Sequence, residues 1–402
     1  MMYAQRLSWS DSTIVPVTPA VRPVVATGDL TVQQVRGRGD LRAFVGFARR
    51  LHRDDPGFVP PLEFQFRRKL SSRNPLFRDA DLVLFLARQG AEVVGTVSVL
   101  RDRRHEQHTG ELVAFFGFFE CVDDITVARA LLERAEVQAR AWGATSLRGP
   151  RNLSRVEAVG VLVDGFDTRP PFMGGHTPGY YRRLLEELGF AEHHDVLAYD
   201  IDLLDEHGGH VPIPDKLQEQ ADAVDIPGLQ LRPTRWRTLG RDLRLAHAVF
   251  VEAFRDVPDN TPMPLRQFLY QGRLLIALTH TSMLQLATID GKAAGFALCF
   301  PEVNEAIVHA RGRLFPFGWL RLLLGLRHIR TASFKLIGVL PEYRSSGLHA
   351  LMIQRAVEGC REAGYHRLEA SLVDARNHKI RRVIEPSGMQ VYRRYRVYER
   401  AL

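Results

Sequence analysis

Cysteine is scarce in this chain: 402 residues hold three, Cys121, Cys299 and Cys360, all far apart. No C-x-x-C pair and no H-E-x-x-H occurs, so neither a disulfide framework nor a standard zinc site is expected, and no metal is assigned. Such sparse use points to a reducing compartment, the cytoplasm. No apolar run approaches the roughly 18 to 20 residues that cross a bilayer. The opening MMYAQRLSWSDSTIVPVTP lacks the apolar core of a signal peptide, and residues 1–28 read as a flexible lead-in. What the chain does have is arginine-driven charge, +8 net, on an ordinary globular background of 45% hydrophobic and 25% charged residues. That charge suits a phosphate-bearing ligand, an anionic membrane surface or nucleic acid. No nucleic-acid-binding module is recognisable, so nucleic acid is not an expected partner.

The length suggests two or three domains, and internal repetition chooses two. GDLRAFVGFARRLHRDDPGF from Gly39 and RDLRLAHAVFVEAFRDVPDN from Arg241 both place apolar residues at helical spacing and end in an acidic stretch before proline. Leu41 and Leu243 stand 243 − 41 = 202 apart. VVGTVSVL and AAGFALCF set Gly95 and Gly295 at 295 − 95 = 200, and EELGF and EPSGM set Gly189 and Gly388 at 388 − 189 = 199. Three ordered landmarks predict two copies of one α/β fold, each a mixed twisted sheet flanked by helices.

Strands are expected at 82–89 and 93–100, and at 281–288 and 292–300 in the second copy. Another strand, a long helix, a strand, a helix and a final strand follow in each copy. HGGHVPIPDKLQEQADAVDIPG is rich in Gly, Pro and polar residues and predicts a linker. The expected domains are therefore 29–204 and 229–402, joined by 205–228. The long helices align Gly143 with Gly364, 364 − 143 = 221, so the second copy carries an insert around EAIVHARGRLFPFGWLRLLLGLRHIR.

The stretch GVLPEYRSSGLHALM, residues 338–352, runs from an apolar strand through a basic, small-residue loop into a helix. A helix N-terminus carries unpaired N–H groups and partial positive charge, so Gly338, Val339, Arg344, Ser345, Ser346, Gly347, Leu348 and His349 form a candidate anion site. Gly347 permits close backbone approach, and Arg344 adds charge-assisted hydrogen bonds of ~1.5 to 3 kcal/mol each. The plainer reading is a helix cap with a solvated arginine. The run V-x-P-x-x-R-x-x-G resembles the R/Q-x-x-G-x-G/A hallmark of the GNAT superfamily of acyl-CoA-dependent N-acyltransferases, with His349 where Gly or Ala is usual. That resemblance implies acyl-CoA as co-substrate, bound by its pyrophosphate at this loop. Asn377 matches a common GNAT asparagine that contacts the coenzyme arm. The 221-residue offset puts Asp123 opposite Arg344 and Thr126 opposite Gly347. Aspartates cap helices but repel a pyrophosphate, so one coenzyme site is expected, in the second copy.

SSRNPLFRDADLVLFLA, AFFGFFECVDD, LRGPRNLSRVEAVGVLVDGFDTRPPF and YYRRLLEELGF further resemble a group of bacterial tandem-GNAT proteins that includes bacterial ceramide synthase. The reaction this implies is transfer of a long acyl chain from acyl-CoA to the amine of a sphingoid base. Leu314, Phe315, Phe317, Trp319 and the leucines after them, flanked by Arg311, Arg313, Arg321, Arg327 and Arg330, suit peripheral contact of 314–330 with the inner membrane; the alternative is a core helix.

N-acylation needs a neutral amine, a polarised carbonyl and a proton for the thiolate. The amides of Gly338 and Val339 are the expected oxyanion donors. Many GNAT enzymes place a tyrosine in the last helix as the thiol's acid; Ile384 stands there, with Tyr343, Tyr392 and Tyr395 in the vicinity. Glu120, ending the apolar strand FFGFFE, is the candidate base, the alternative being a structural strand-end acid, and His349 and His378 are candidate proton relays. His349 and Ile384 also motivate a second reading, a non-catalytic acyl-CoA-binding or membrane-associated scaffold.

Overall fold

The computed structural model describes residues 29–402 apart from 156, 277–278, 311 and 313 and the side chains of 273–275. The lead-in 1–28, Arg311 and Arg313 lie outside the described residues. The first half runs β1 (Leu30–Gln34), α1 (Gly37–Leu51), α2 (Glu63–Lys69), β2 (Ala80–Gln89), β3 (Glu92–Asp102), α3 (Arg103–Thr109), β4 (Val113–Cys121), α4 (Ile125–Ala141), β5 (Ser146–Gly149), β6 (Val161–Asp164), α5 (Tyr180–Glu187) and β7 (Ala191–Asp202). Next come α6 (Asp215–Asp222), β8 (Leu229–Pro233), α7 (Leu239–Ala253), α8 (Leu265–Ile276), β9 (Leu284–Ile289), β10 (Lys292–Pro301), α9 (Asn304–Ala310), α10 (Gly318–Leu326), β11 (Thr331–Val339), α11 (Leu348–Glu362), β12 (Arg367–Asp374), α12 (His378–Ile384) and β13 (Gln390–Ala401). Helices cover both faces of one mixed sheet, the α/β architecture expected from the repeats.

The repeat is physical. In α1, Leu41, Phe44 and Phe47 are buried at helical spacing, and in α7 so are Leu243, Ala246, Val249 and Phe250. Each helix lies on one face of its half of the sheet, while α4 and α11 pack on the other. The landmark glycines share one cause. A Cβ on Gly95 would sit 2.6 Å from Leu131 of α4, and one on Gly295 would sit 2.7 Å from Met352 of α11. Glycine lets the long helix seat directly on the strand in both halves.

The two halves exchange their last strands. The sheet order is β1-β2-β3-β4-β5-β13-β7-β12-β11-β10-β9-β8, with β6 also on β13. β13 of the second half pairs β5 of the first, β7 of the first half pairs β12 of the second, and β13 pairs β7 antiparallel between them. Side-chain anchors reinforce the joint: Glu302 accepts from the amide of Phe172 at 2.6 Å, and Asn304 donates to the carbonyl of Pro170 at 3.0 Å.

Two local readings are corrected. Segment 205–228 contains a helix, α6, which packs on α11 through a Gln354–Gln218 hydrogen bond of 3.1 Å. Its proline and glycine flanks mask a short polar helix. The offset of 221 holds for β5 and β12 but fails at the loop before the long helix. In the first half, Asp124 caps α4 by accepting from Thr126 N at 2.7 Å, three residues beyond Cys121. In the second half, the cap is Gly347, eight residues beyond Val339. The first half lacks the loop altogether, and a carboxylate occupies its helix N-terminus.

Candidate active site

β11 and β12 pair in parallel at Thr331–Arg367, Ala332–Leu368 and Ser333–Glu369, then part. Between them opens a cavity of about 600 Å³, lined along β11 from Phe334 to Val339. β10 pairs the other edge of β11, so the edge facing β12 keeps its backbone groups free for a ligand. Phe250 and Phe254 on or beside α7, Phe268 of α8 and Ile380 and Ile384 of α12 make the walls largely apolar. This is a wedge with a polar mouth, an apolar body and a polar vertex.

The mouth is the basic loop. Pro341–Tyr343 form one 3-10 turn, and Gly347 follows with φ +79°, a left-handed conformation that favours glycine. A second cause holds that glycine: a Cβ would lie 2.5 Å from the carbonyl oxygen of Gln220 on α6. Among the described residues the amides of Ser345, Gly347 and His349 have no hydrogen-bond partner. Arg344, half-buried, lines the cavity and donates to the Ala253 carbonyl at 3.1 Å, one of its five donors. His349 also lines the cavity, and burial lowers its pKa, which favours the neutral ring. Asn377 lines the cavity too, while its Oδ1 accepts from Ile380 N at 3.4 Å to cap α12.

At the vertex Lys335 and Ser371 line the cavity and belong to a cluster that sequence reasoning missed, with Glu369 and Ser333 just outside the lining. Lys335 Nζ lies 3.4 Å from Glu369 Oε2, with side chains 9% and 3% exposed. Lys335 also donates to Ser371, and Ser333 donates to Glu369. These residues alternate along two strands some 36 positions apart, a spacing at which strand periodicity carries no signal of contact. Behind them Glu302 is pushed up to about 8 by burial and by the neighbouring Glu369. The first half also contributes: half-buried Arg155 lines the wedge, its pKa lowered by desolvation, and donates to Asn260 at 3.5 Å.

Glu120, Tyr343 and His378 are not brought to this wedge. Glu120 lies in the first half, its Oε2 accepting from the Tyr181 hydroxyl at 2.8 Å and lying 2.6 Å from His52 Nε2. Tyr343 packs into the core beside α11, and His378 is exposed at the start of α12. Tyr392 and Tyr395 lie off the wedge, and burial raises the pKa of both hydroxyls. His193, His194 and Asp259 approach metal-ligand spacing among the described residues, but Arg148 and Arg376 both bond Asp259. Two guanidiniums on the only carboxylate of that trio oppose a cation.

Parted parallel strands with a basic, amide-rich loop at their mouth define the class of GNAT acyltransferases. The chain belongs to that family, with residues 247–389 matching the model described as Acetyltransferase (GNAT) family. It is 33% identical over 382 residues to the bacterial ceramide synthase of Caulobacter vibrioides, covering 93% of this chain and 98% of that one. It is also 29% identical over 377 residues to the protein YghO of Escherichia coli, covering 92% and 95%. Among solved structures, a tandem GNAT protein from the clavulanic acid biosynthesis pathway superposes with TM-score 0.54 at 15% identity, over 92% of this chain and 98% of that one. A GCN5-related N-acetyltransferase from Sphaerobacter thermophilus gives 0.52 at 17%, over 94% and 97%; both likenesses concern the fold. The chain is an N-acyltransferase that takes acyl-CoA and an amine acceptor.

Proposed function

We propose that the chain moves a long acyl group from acyl-CoA to the amine of a lipid, a sphingoid base, giving a ceramide-type product. The observation that carries this reading is the wedge, which joins an amide-rich basic mouth to a long apolar body. Its relative's name supports the lipid acceptor. In this reading Arg344 and the amides of Ser345, Gly347 and His349 hold the pyrophosphate, and Asn377 contacts the pantetheine arm lying along the open edge of β11.

The amine attacks the thioester carbonyl, and the oxyanion is held by the amides of Gly338 and Val339. Glu369 receives the proton lost by the amine through Lys335, which lines the vertex 3.4 Å from its Oε2. Collapse breaks the C–S bond, and the proton accepted by Glu369 passes to the departing thiolate, which leaves as free coenzyme A and restores the carboxylate. Thiol release from palmitoyl-CoA tests the reading across an amine panel. Turnover with sphinganine well above that with small polar amines is expected. Turnover confined to short acyl donors and polar amines overturns the lipid assignment, and no thiol release with any amine leaves the scaffold reading.

The same proposal places α10 on a membrane. Its inner side packs on α9, but Phe315, Phe317 and Trp319 are 80%, 67% and 47% exposed, and Leu323 is 52% exposed. Exposed Arg321, Arg327 and Arg330 rim that patch. Among the described residues no helix is long and apolar enough to cross a membrane. Sedimentation with anionic vesicles that is unchanged by Leu323→Asp would contradict this placement.

A further inference from the structure

The acyl-CoA reading leaves a second cavity, of about 270 Å³ in the first half, without an occupant. It lies where the repeat would put a second wedge. β4 and β5 pair in parallel at Val113–Ser146, Ala114–Leu147 and Phe115–Arg148 and then part, as β11 and β12 do. Matching the ends of β4 and β11, Cys121 with Val339, sets Glu120 at the position of Gly338. The half that lost the anion loop thus presents a carboxylate where the other half presents a small neutral residue. A carboxylate repels a pyrophosphate or an oxyanion and attracts an ammonium.

Much of the remaining wall is apolar and part of it is held under strain, while Arg68, Lys69 and Glu157 place charged groups elsewhere on the lining, Lys69 paired with Glu157. Phe44 and Ala48 of α1, Phe58, Phe66, Phe118 and Phe172 form its walls. Six described non-glycine residues have positive φ, and three of them, Phe118 at 43°, Ala158 at 45° and Met173 at 69°, line this cavity. Such strain concentrates at ligand sites. The fold enforces it: Asn152 Oδ1 accepts from Phe118 N at 2.7 Å, and Ala158 N donates to the Met173 carbonyl at 2.6 Å. Buried Arg393 donates to the carbonyls of Gly165, Thr168 and Gly175. The runs GPRNLS (149–154) and GFDTRP (165–170) therefore shape this chamber. Met173 and Gln271 line both cavities, so the two abut there. Ile307 of α9, the helix beneath the exposed α10, also lines it.

We infer that this chamber binds the amine acceptor, a long-chain primary amine whose ammonium faces Glu120 and whose hydrocarbon chain lies among the phenylalanines. The bound amphiphile passes to the thioester at the wall shared by Met173 and Gln271. This deepens the reading given under Proposed function and rests on it. Titration calorimetry of the full chain with dodecylamine, dodecanol and coenzyme A tests it. Wild-type protein is expected to bind dodecylamine more tightly than dodecanol. Glu120→Gln is expected to abolish that preference, and Ala48→Trp, which fills the chamber, to weaken dodecylamine at least tenfold. Neither is expected to change coenzyme A affinity more than twofold.

If Ala48→Trp fails to fold, Gly175→Leu fills the same space, since a Cβ there meets Ala158 at an ordinary 3.6 Å. Undiminished dodecylamine binding in folded variants, or none in wild type, overturns the inference. Variant-sensitive amine binding without thiol release from acyl-CoA would instead sink the transferase reading and leave the chamber standing.

Discussion

Arg344 combines two tasks that a substitution can separate. One donor ties the loop to the C-terminal carbonyl of α7, and the side chain also lines the cavity. Arg344→Glu should weaken coenzyme A binding by on the order of 10- to 100-fold, the loss of a charge-assisted contact and its replacement by repulsion. Calorimetric titration checks it, and an unchanged affinity would remove Arg344 from the site. At the vertex, Glu369→Gln should lower kcat by roughly 10²- to 10⁴-fold and leave KM for acyl-CoA within a fewfold, the signature of a proton acceptor. A loss confined to KM would make Glu369 a binding residue. Arg344 and Gly347 are legible in the sequence because one loop holds them at fixed spacing. Lys335, Glu369 and Ser371 are not, because strands distant in sequence bring them together. The reason Gly347 must be glycine was half legible: close approach was expected, but the approaching group is the Gln220 carbonyl.

At the level of elements, strand exchange makes each half incomplete. β12 takes β7 as its antiparallel neighbour, and without the first half its edge from Arg367 to Asp374 is bare. Residues 205–402 expressed alone should therefore show no cooperative melt by circular dichroism and should gain one when mixed with 1–204. A cooperative transition for the isolated second half, within a few degrees of the full chain, would show that the expected boundary separates independent folding units. Duplication was readable because a glycine under each long helix and an apolar stripe on α1 and α7 recur in order. Exchange is not, since the buried run Val196–Tyr199 of β7 and the buried positions of β13 require a neighbouring strand without specifying which half supplies it.

Across the whole molecule, burial of polar groups at the joint between the halves sets the response to pH. His105, His176, His193 and His194 all have pKa values lowered chiefly by burial, His194 to about 4. A depressed histidine stabilises the fold above its unfolded value of about 6.5 and loses that contribution as pH falls toward the folded one. Glu302 is raised to about 8, so its contribution is complete below the unfolded value of about 4.3 and is lost progressively as pH rises to about 8. The melting temperature should thus peak near pH ~6.5, falling steeply on the acid side, where four histidines outweigh one glutamate, and gently on the alkaline side. Glu302→Gln should flatten the alkaline limb and steepen the acid limb above pH ~4.3, where the glutamate opposes the histidines. Scanning calorimetry from acid to alkaline buffer checks both limbs; a flat profile below neutrality would contradict neutral buried histidines.

The central claim is that coenzyme A sits at the second half's loop and nowhere in the first half. Hydrogen–deuterium exchange of the full chain with and without coenzyme A tests it most directly. Slowed exchange is expected across 339–351, with no change across 122–128, where the helix start is already capped by Asp124. Slowed exchange at 122–128, or none at 339–351 under saturating ligand, would contradict the account.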